Sequence, residues 1–215
     1  MYVTAASSNH FKTVKQFINS LQGRPVIFYD IGLTNEEIID IKKLPIEYRL
    51  FDWSSVPSWG LLSAESSGAY VWKPIIIHTV LQENHDMIIW SDSGNIILDH
   101  ISLENHIRSV HLYTPTSRGT IQDWTHSECI KGMNMTLEQI YLQMRNAALI
   151  GFIKSNPIIQ QFINDWKSYS LCKELITGSR SNHRHDQSIL TCLFYKYNRS
   201  CADHYIGFTS HNDCD

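Results

Sequence analysis

Four short apolar runs separated by segments of helical spacing constrain this chain more than any other feature. The runs are Tyr2-Val3-Thr4-Ala5, Val26-Ile27-Phe28-Tyr29, Tyr48-Arg49-Leu50-Phe51 and Met87-Ile88-Ile89-Trp90, and each reads as a strand. Between the first two, Phe11, Val14, Phe17, Ile18 and Leu21 fall on one helix face that Gly23 and Pro25 end. Asp30-Ile31-Gly32 closes the second run. Thr34-Asn35-Glu36-Glu37 then spells a capping box ahead of Ile38, Ile39 and Ile41. After the third run, residues 54–67 form a polar loop without a period. Pro74 follows at the expected first position of a helix carrying Ile76, Ile77, Val80 and Leu81. This alternation predicts a mostly parallel sheet with helices on both faces, in the α/β class.

The last third changes character. Ala147–Ile153 reads as one more strand. Asn156 caps a helix with Pro157 at its start and Ile158, Ile159, Phe162, Ile163 and Trp166 turned inward. A further helix carries Ile189, Leu190, Leu193, Phe194 and Tyr197, and Tyr205-Ile206-Gly207-Phe208 is the expected last strand. With 43% hydrophobic and 18% charged residues, the chain is neither disordered nor a coiled coil. It is read as a single domain, 1–215, with a nucleotide-binding half over about 1–100 and an acceptor or sugar half over about 101–215.

Charge and cysteine content exclude several classes. A net charge of -3 argues against DNA or RNA as the main partner, though a local basic patch stays open. No stretch approaches the about 18 apolar residues of a membrane span, and the first residues do not resemble a signal peptide. The five cysteines are odd in number and lack C-x-x-C, against a zinc knuckle or a disulfide-dense scaffold, while leaving one or two disulfides conceivable in the last third. Asn134-Met135-Thr136 and Asn198-Arg199-Ser200 fit the glycosylation sequon without naming a compartment.

In open α/β sheets, ligands bind beyond the carboxyl ends of the strands. Four segments deliver polar groups there. Thr4-Ala5-Ala6-Ser7-Ser8-Asn9-His10 is a small-residue loop that lets backbone amides approach a base or phosphate, or else a tight connection with Ser8 or Asn9 as a cap. Asp30 is placed to accept from a nucleobase or ribose, or simply to make a turn. Trp90-Ser91-Asp92-Ser93-Gly94-Asn95 sets a carboxylate where it would hold a cation on two phosphates, or spells a hairpin turn before Ile96-Leu98. His183-Arg184-His185-Asp186-Gln187 opens a helix with Asp186 on its buried face, which either delivers a carboxylate into the cleft with Arg184 near a phosphate or acidic group of the ligand, or only complements the helix dipole. Lys73 is a candidate counter-charge to a diphosphate. His204 and His211 are candidate returns to the cleft, and Trp124 is a candidate sugar platform.

Taken in order, Val26 to Thr34, Tyr70-Val71-Trp72-Lys73-Pro74, the strand into Asp92, and His185-Asp186-Gln187-Ser188 resemble the GT-A class of nucleotide-sugar glycosyltransferases, in a eukaryotic-type branch of it. The resemblance runs from about Val3 to Phe208. It implies a GT-A-like domain moving a sugar from a nucleotide-diphosphate donor, a UDP-sugar, to a hydroxyl of a glycan, protein or small molecule. It implies Thr4, Ala5, Ser7 and Asp30 at the nucleoside, with Lys73, Ser93 and Arg184 completing the nucleotide site. It places Asp186 and Gln187 beside the transferred sugar as the catalytic pair. In the class, an Asp-x-Asp motif holds a divalent metal, expected to be Mn2+. Here Asp92 remains and Gly94 stands in the second acidic position, so either His211 assists Asp92 or Lys73 and Arg184 neutralise the diphosphate. Asp186 is the base of an inverting reaction or a sugar ligand in a retaining one. Two alternatives stand beside this: an inactive GT-A-like sugar- or protein-binding module, and a metal-dependent hydrolase built on His183, His185 and Asp186.

Overall fold

The computed structural model describes residues 1–210 of the 215-residue chain; His211 and Cys214 lie outside the described residues. Ten strands are formed among the described residues: β1 (Tyr2–Ser7), β2 (Val26–Gly32), β3 (Glu47–Leu50), β4 (Met87–Ser91), β5 (Asn95–Ile97), β6 (Leu112–Tyr113), β7 (Thr116–Thr120), β8 (Gln143–Arg145), β9 (Leu149–Ile153) and β10 (Phe208–Ser210). Six of them make the central sheet, in the order β3-β2-β1-β4-β9-β6. β3, β2, β1 and β4 are parallel, and β9 runs against both β4 and β6. The expected mixed α/β, mostly parallel sheet is therefore present, and it includes strands from both halves of the chain.

The apolar runs follow from burial on both faces of that sheet. Along β1, Val3 and Ala5 join one core, while Tyr2 and Ala6 join the other. β2 divides the same way, Ile27 and Tyr29 against Val26 and Phe28, as does β4, Ile88 and Trp90 against Met87 and Ile89. Helices Trp72–Leu81, Pro157–Ser170 and Asp186–Lys196 close the first core; Phe11–Ser20 and His100–Val110 close the second. The Thr34 capping box forms with Glu37, and the Asn156 side chain accepts from the Ile158 amide ahead of Pro157.

Several local expectations change. The helix with Pro74 begins at Trp72, which moves the proline to the third position. Ile158, expected inward, is 49% exposed, because the buried stripe runs through Ile159, Phe162, Ile163 and Trp166. Tyr197 ends the helix of Ile189 instead of lining it. The last strand is Phe208–Ser210, not Tyr205–Phe208. It pairs antiparallel with β5, so the Asp92–Asn95 segment is no hairpin turn between two paired strands. Cys129, Cys172, Cys192 and Cys201 are free thiols.

Close approach of a helix to the sheet depends on one glycine. Gly151 sits in β9 between Ile89 and Tyr113, and a Cβ there would lie 2.1 Å from Ile107 Cδ1 and 2.5 Å from Ile107 Cγ1. Gly151→Ala must push helix His100–Val110 off the sheet. We expect a loss of about 1–3 kcal/mol, seen as a lower urea midpoint; an unchanged midpoint would show that the helix has room to yield.

Candidate active site

Strand order 3-2-1-4 places a switch point between β1 and β4, where the connections leave toward opposite sides. A cleft of about 760 Å³ opens there, walled by the loop after β1, by Asp92–Asn95 after β4, by the Ser67–Lys73 approach to its helix, and by Arg180–Gln187. Of the residues proposed from sequence, Ala5, Ser7, Lys73, Asp92, Ser93, Arg184, Asp186 and Gln187 line it.

Thr4 and Asp30 do not. Thr4 is fully buried in β1, where alternation turns it to the face of Tyr2 and Ala6. Asp30 is 1% exposed, and its carboxylate serves the fold. Oδ1 accepts from the Gly32 and Leu33 amides at 2.8 Å each, and Oδ2 accepts from the Tyr48 hydroxyl at 2.7 Å. The turn role of Asp30 is the one the structure displays.

At the cleft floor, Lys73 stands between two carboxylates. It is 4% exposed, and its Nζ lies 2.9 Å from Asp92 Oδ1 and 3.4 Å from Asp186 Oδ2, donating also to the Ala147 carbonyl at 3.3 Å. The Trp90 and Tyr70 rings lie 5.8 Å and 6.0 Å from the ammonium. Burial alone would lower the Lys73 pKa; Asp186 and Asp92 outweigh it and hold the ammonium above its ordinary range. Burial pushes the Asp186 carboxyl up to about 6, against the pull of Lys73 and with the push of Asp92. Asp92 is the open member, its side chain 40% exposed, and Trp90 Nε1 fixes it by donating to Oδ1 at 2.8 Å.

The aim of Asp186 is built into the backbone. His185 precedes it with φ 51° and ψ −119°, a costly conformation for a residue with a Cβ. The ring holds it: His185 Nδ1 lies 3.0 Å from the Ile176 carbonyl oxygen, and the imidazole meets His183 edge-on at 5.4 Å. Trp166 Nε1 donates to the Asp186 carbonyl at 2.9 Å. His183 is fully buried and accepts from the His126 amide at Nδ1. Its pKa is pushed down to about 4 by burial, with His185 and His126 adding to the effect. These contacts make the two imidazoles packing and positioning groups.

An ammonium, not a second ligand, stands against Asp92, and His211, the other expected ligand, lies outside the described residues. Asp92 has Gly94 where a second carboxylate would help. Among the described residues, no three His, Cys, Asp or Glu side chains come together to hold an ion. The same fact removes support from the His183, His185 and Asp186 hydrolase.

Tyr70, Trp72 and Arg180 are among the lining residues that had no assigned role from sequence. Tyr70 and Trp72 flank Val71 beside Lys73, so their signal lay within a segment already singled out. Arg180 stacks over the Tyr70 ring at 5.4 Å and donates to its hydroxyl, from a loop with no periodic pattern to reveal it.

No protein-family model and no curated protein sequence matches this chain. Solved structures do. The galactosyltransferase LgtC, in complex with donor and acceptor sugar analogs, superposes with a TM-score of 0.58 at 13% identity, over 94% of this chain and 72% of that one. An active-site mutant of LgtC gives 0.54 at 13%, over 94% and 71%. Mouse xyloside xylosyltransferase 1, in its apo form, gives 0.51 at 11%, over 92% and 82%. The fold is that of the GT-A glycosyltransferases. Within this GT-A fold, the cleft and its Lys73 floor occupy the switch point of the sheet. Among the described residues, no helix is long and apolar enough to cross a membrane.

Proposed function

We propose that this chain transfers a sugar from a nucleotide-diphosphate donor, a UDP-sugar, to a hydroxyl acceptor. The observation that carries the reading is the Lys73 ammonium between Asp92 and Asp186 on the floor of a cleft at the strand ends of a GT-A fold. In the transfer, the acceptor oxygen bonds to the anomeric carbon. The bond from that carbon to the β-phosphate oxygen breaks, its electron pair leaves on the diphosphate, and the hydroxyl proton passes to a base.

Each step has a group for it. Negative charge grows on the leaving diphosphate, and preorganised cations stabilise it best where water is excluded. Lys73 is such a cation, with Arg180 on the cleft wall and Arg184 at the border with the neighbouring cleft. Ala5, Ser7 and Ser93 present small side chains and backbone to the nucleotide. Asp186 and Gln187, which the resemblance puts beside the sugar, line the same cleft. With a pKa of about 6, Asp186 is largely ionised near pH 7 and accepts a proton more readily than an ordinary carboxylate. Manganese, expected from the resemblance, is replaced in this reading by the fixed ammonium.

A thermal-shift screen of UDP, GDP, CMP and their sugar conjugates, each with and without manganese, tests this. A ligand at about 100 times its dissociation constant stabilises by roughly 2.7 kcal/mol, or about 5–10 °C for a chain of this size. We expect that shift with uridine nucleotides in the absence of manganese. A shift requiring manganese would return the charge role to a metal. No shift with any nucleotide would overturn donor binding and favour the inactive module.

A further inference from the structure

A second cleft of about 580 Å³ adjoins the first and shares Arg184 and Gln187 with it; Ser117, Arg118 and Trp124 complete its lining. A ligand there would reach the transferred sugar past Gln187. We propose that this cleft is the acceptor subsite and that it selects an acceptor carrying an anionic group: a carboxylate, sulfate or phosphate ester. The assignment rests on the transferase reading and deepens it.

The Arg184–Trp124 pair is the built part of the subsite. The guanidinium carbon lies 3.8 Å from the indole ring centroid. Three bonds fix the two residues: the Arg184 amide donates to the Trp124 carbonyl at 3.1 Å and to Ser188 Oγ at 3.0 Å, and Ser188 Oγ donates to the Trp124 carbonyl at 2.7 Å. A stacked guanidinium keeps its N–H edge free, and that fork matches two oxygens of a carboxylate, sulfate or phosphate.

Arg118 is presented by a distortion in β7. Thr116 pairs with Arg145 and Thr120 with Gln143, so β7 carries two more residues than β8 over that interval. The extra length holds Ser117–Gly119 off the ladder, as bulges beside sites do, and Arg118 is exposed at its centre. Among the described residues, neither Arg118 nor Arg184 forms an ion pair. No acidic side chain lines this cleft. The neighbouring Asp123 is engaged in the Thr120 capping box. In a chain of net charge -3, two uncompensated guanidiniums around an indole fit an anionic sugar better than a neutral one.

The test uses the nucleotide sugar found by the thermal-shift screen and four phenyl glycosides as acceptors: the glucoside, the glucuronide, the glucoside 6-sulfate and the glucoside 6-phosphate. Wild type is expected to show a KM lower for an anionic member than for the glucoside by on the order of tenfold to a hundredfold, with the preferred anion naming the source. Arg118→Ala should erase that preference while keeping the UDP-induced thermal shift, and Arg118→Glu should invert it. Equal KM values across the four acceptors, with nucleotide binding intact, would overturn the subsite and leave the transferase reading standing. Loss of the UDP shift in Arg118→Ala would assign the arginine to the donor diphosphate and also overturn it. If no nucleotide binds wild type, the transferase reading fails and the subsite with it.

Discussion

Replacing Lys73 by methionine is expected to cut transfer by about 10²–10³ and to destabilise the fold by about 3–5 kcal/mol, because removing one partner of a buried ion pair leaves the other charge uncompensated. Asp186 is 3% exposed and Asp92 shares the same ammonium, so both carboxylates would face each other without a cation. Asp186 answers by protonating, its pKa rising further above about 6. The catalytic loss is separate. A fixed charge aimed at a leaving group is worth on the order of 10²–10³ in rate. Lys73→Met/Asp186→Asn tests the stability account alone: urea unfolding should show much of the stability restored, since no buried carboxylate is then left without its cation. A stable and active Lys73→Met single variant would remove the lysine from the chemistry, and added manganese rescuing its activity would show that a metal can take over the role.

This triad explains why the sequence yields the members of a site more readily than the site. Lys73, Asp92 and Asp186 each stood out locally, at a helix start, a strand end and a helix start. Nothing local says that three groups from such distant segments share one floor; the sheet order brings them together. The sheet itself was legible, because β1, β2 and β4 are buried on both faces and read as unbroken apolar runs. β6 has two residues, β8 has three, and β7 is Thr-Ser-Arg-Gly-Thr, so none carries a periodic signal. β5 looked like half of a hairpin, since pairing with a strand more than a hundred residues later leaves no local trace. Asp30 illustrates the remaining difficulty. An aspartate at a strand end suits a ligand or a turn equally, and the Tyr48 hydroxyl that completes its shell comes from a different strand.

Asp186→Asn should separate function from stability in the opposite sense from Lys73→Met. With the general base or sugar contact removed, transfer is expected to fall by about 10²–10⁴, while UDP binding stays close to wild type. In wild type, kcat/KM should be lost as pH falls through about 6, the point where Asp186 takes up its proton, and that limb should be missing from the residual activity of the variant. The stability consequence follows from the sign of the shift. The folded-state pKa of about 6 lies above the ordinary aspartate value of 3.8, so between those pH values the native state holds a proton that the unfolded state releases. The stability contributed by this group is therefore fully present below pH 3.8 and lost as pH rises through 6. Near pH 7 the ionised carboxylate is a burden of up to roughly 3 kcal/mol, which the neutral amide does not carry. Asp186→Asn should consequently melt at or above the wild-type temperature near pH 7 and lose that advantage by pH 4. An inactive variant at least as stable as wild type marks a residue kept for chemistry. An inactive variant that is also unfolded would mark Asp186 as a structural partner of Lys73, and an active one would move the reaction away from this carboxylate.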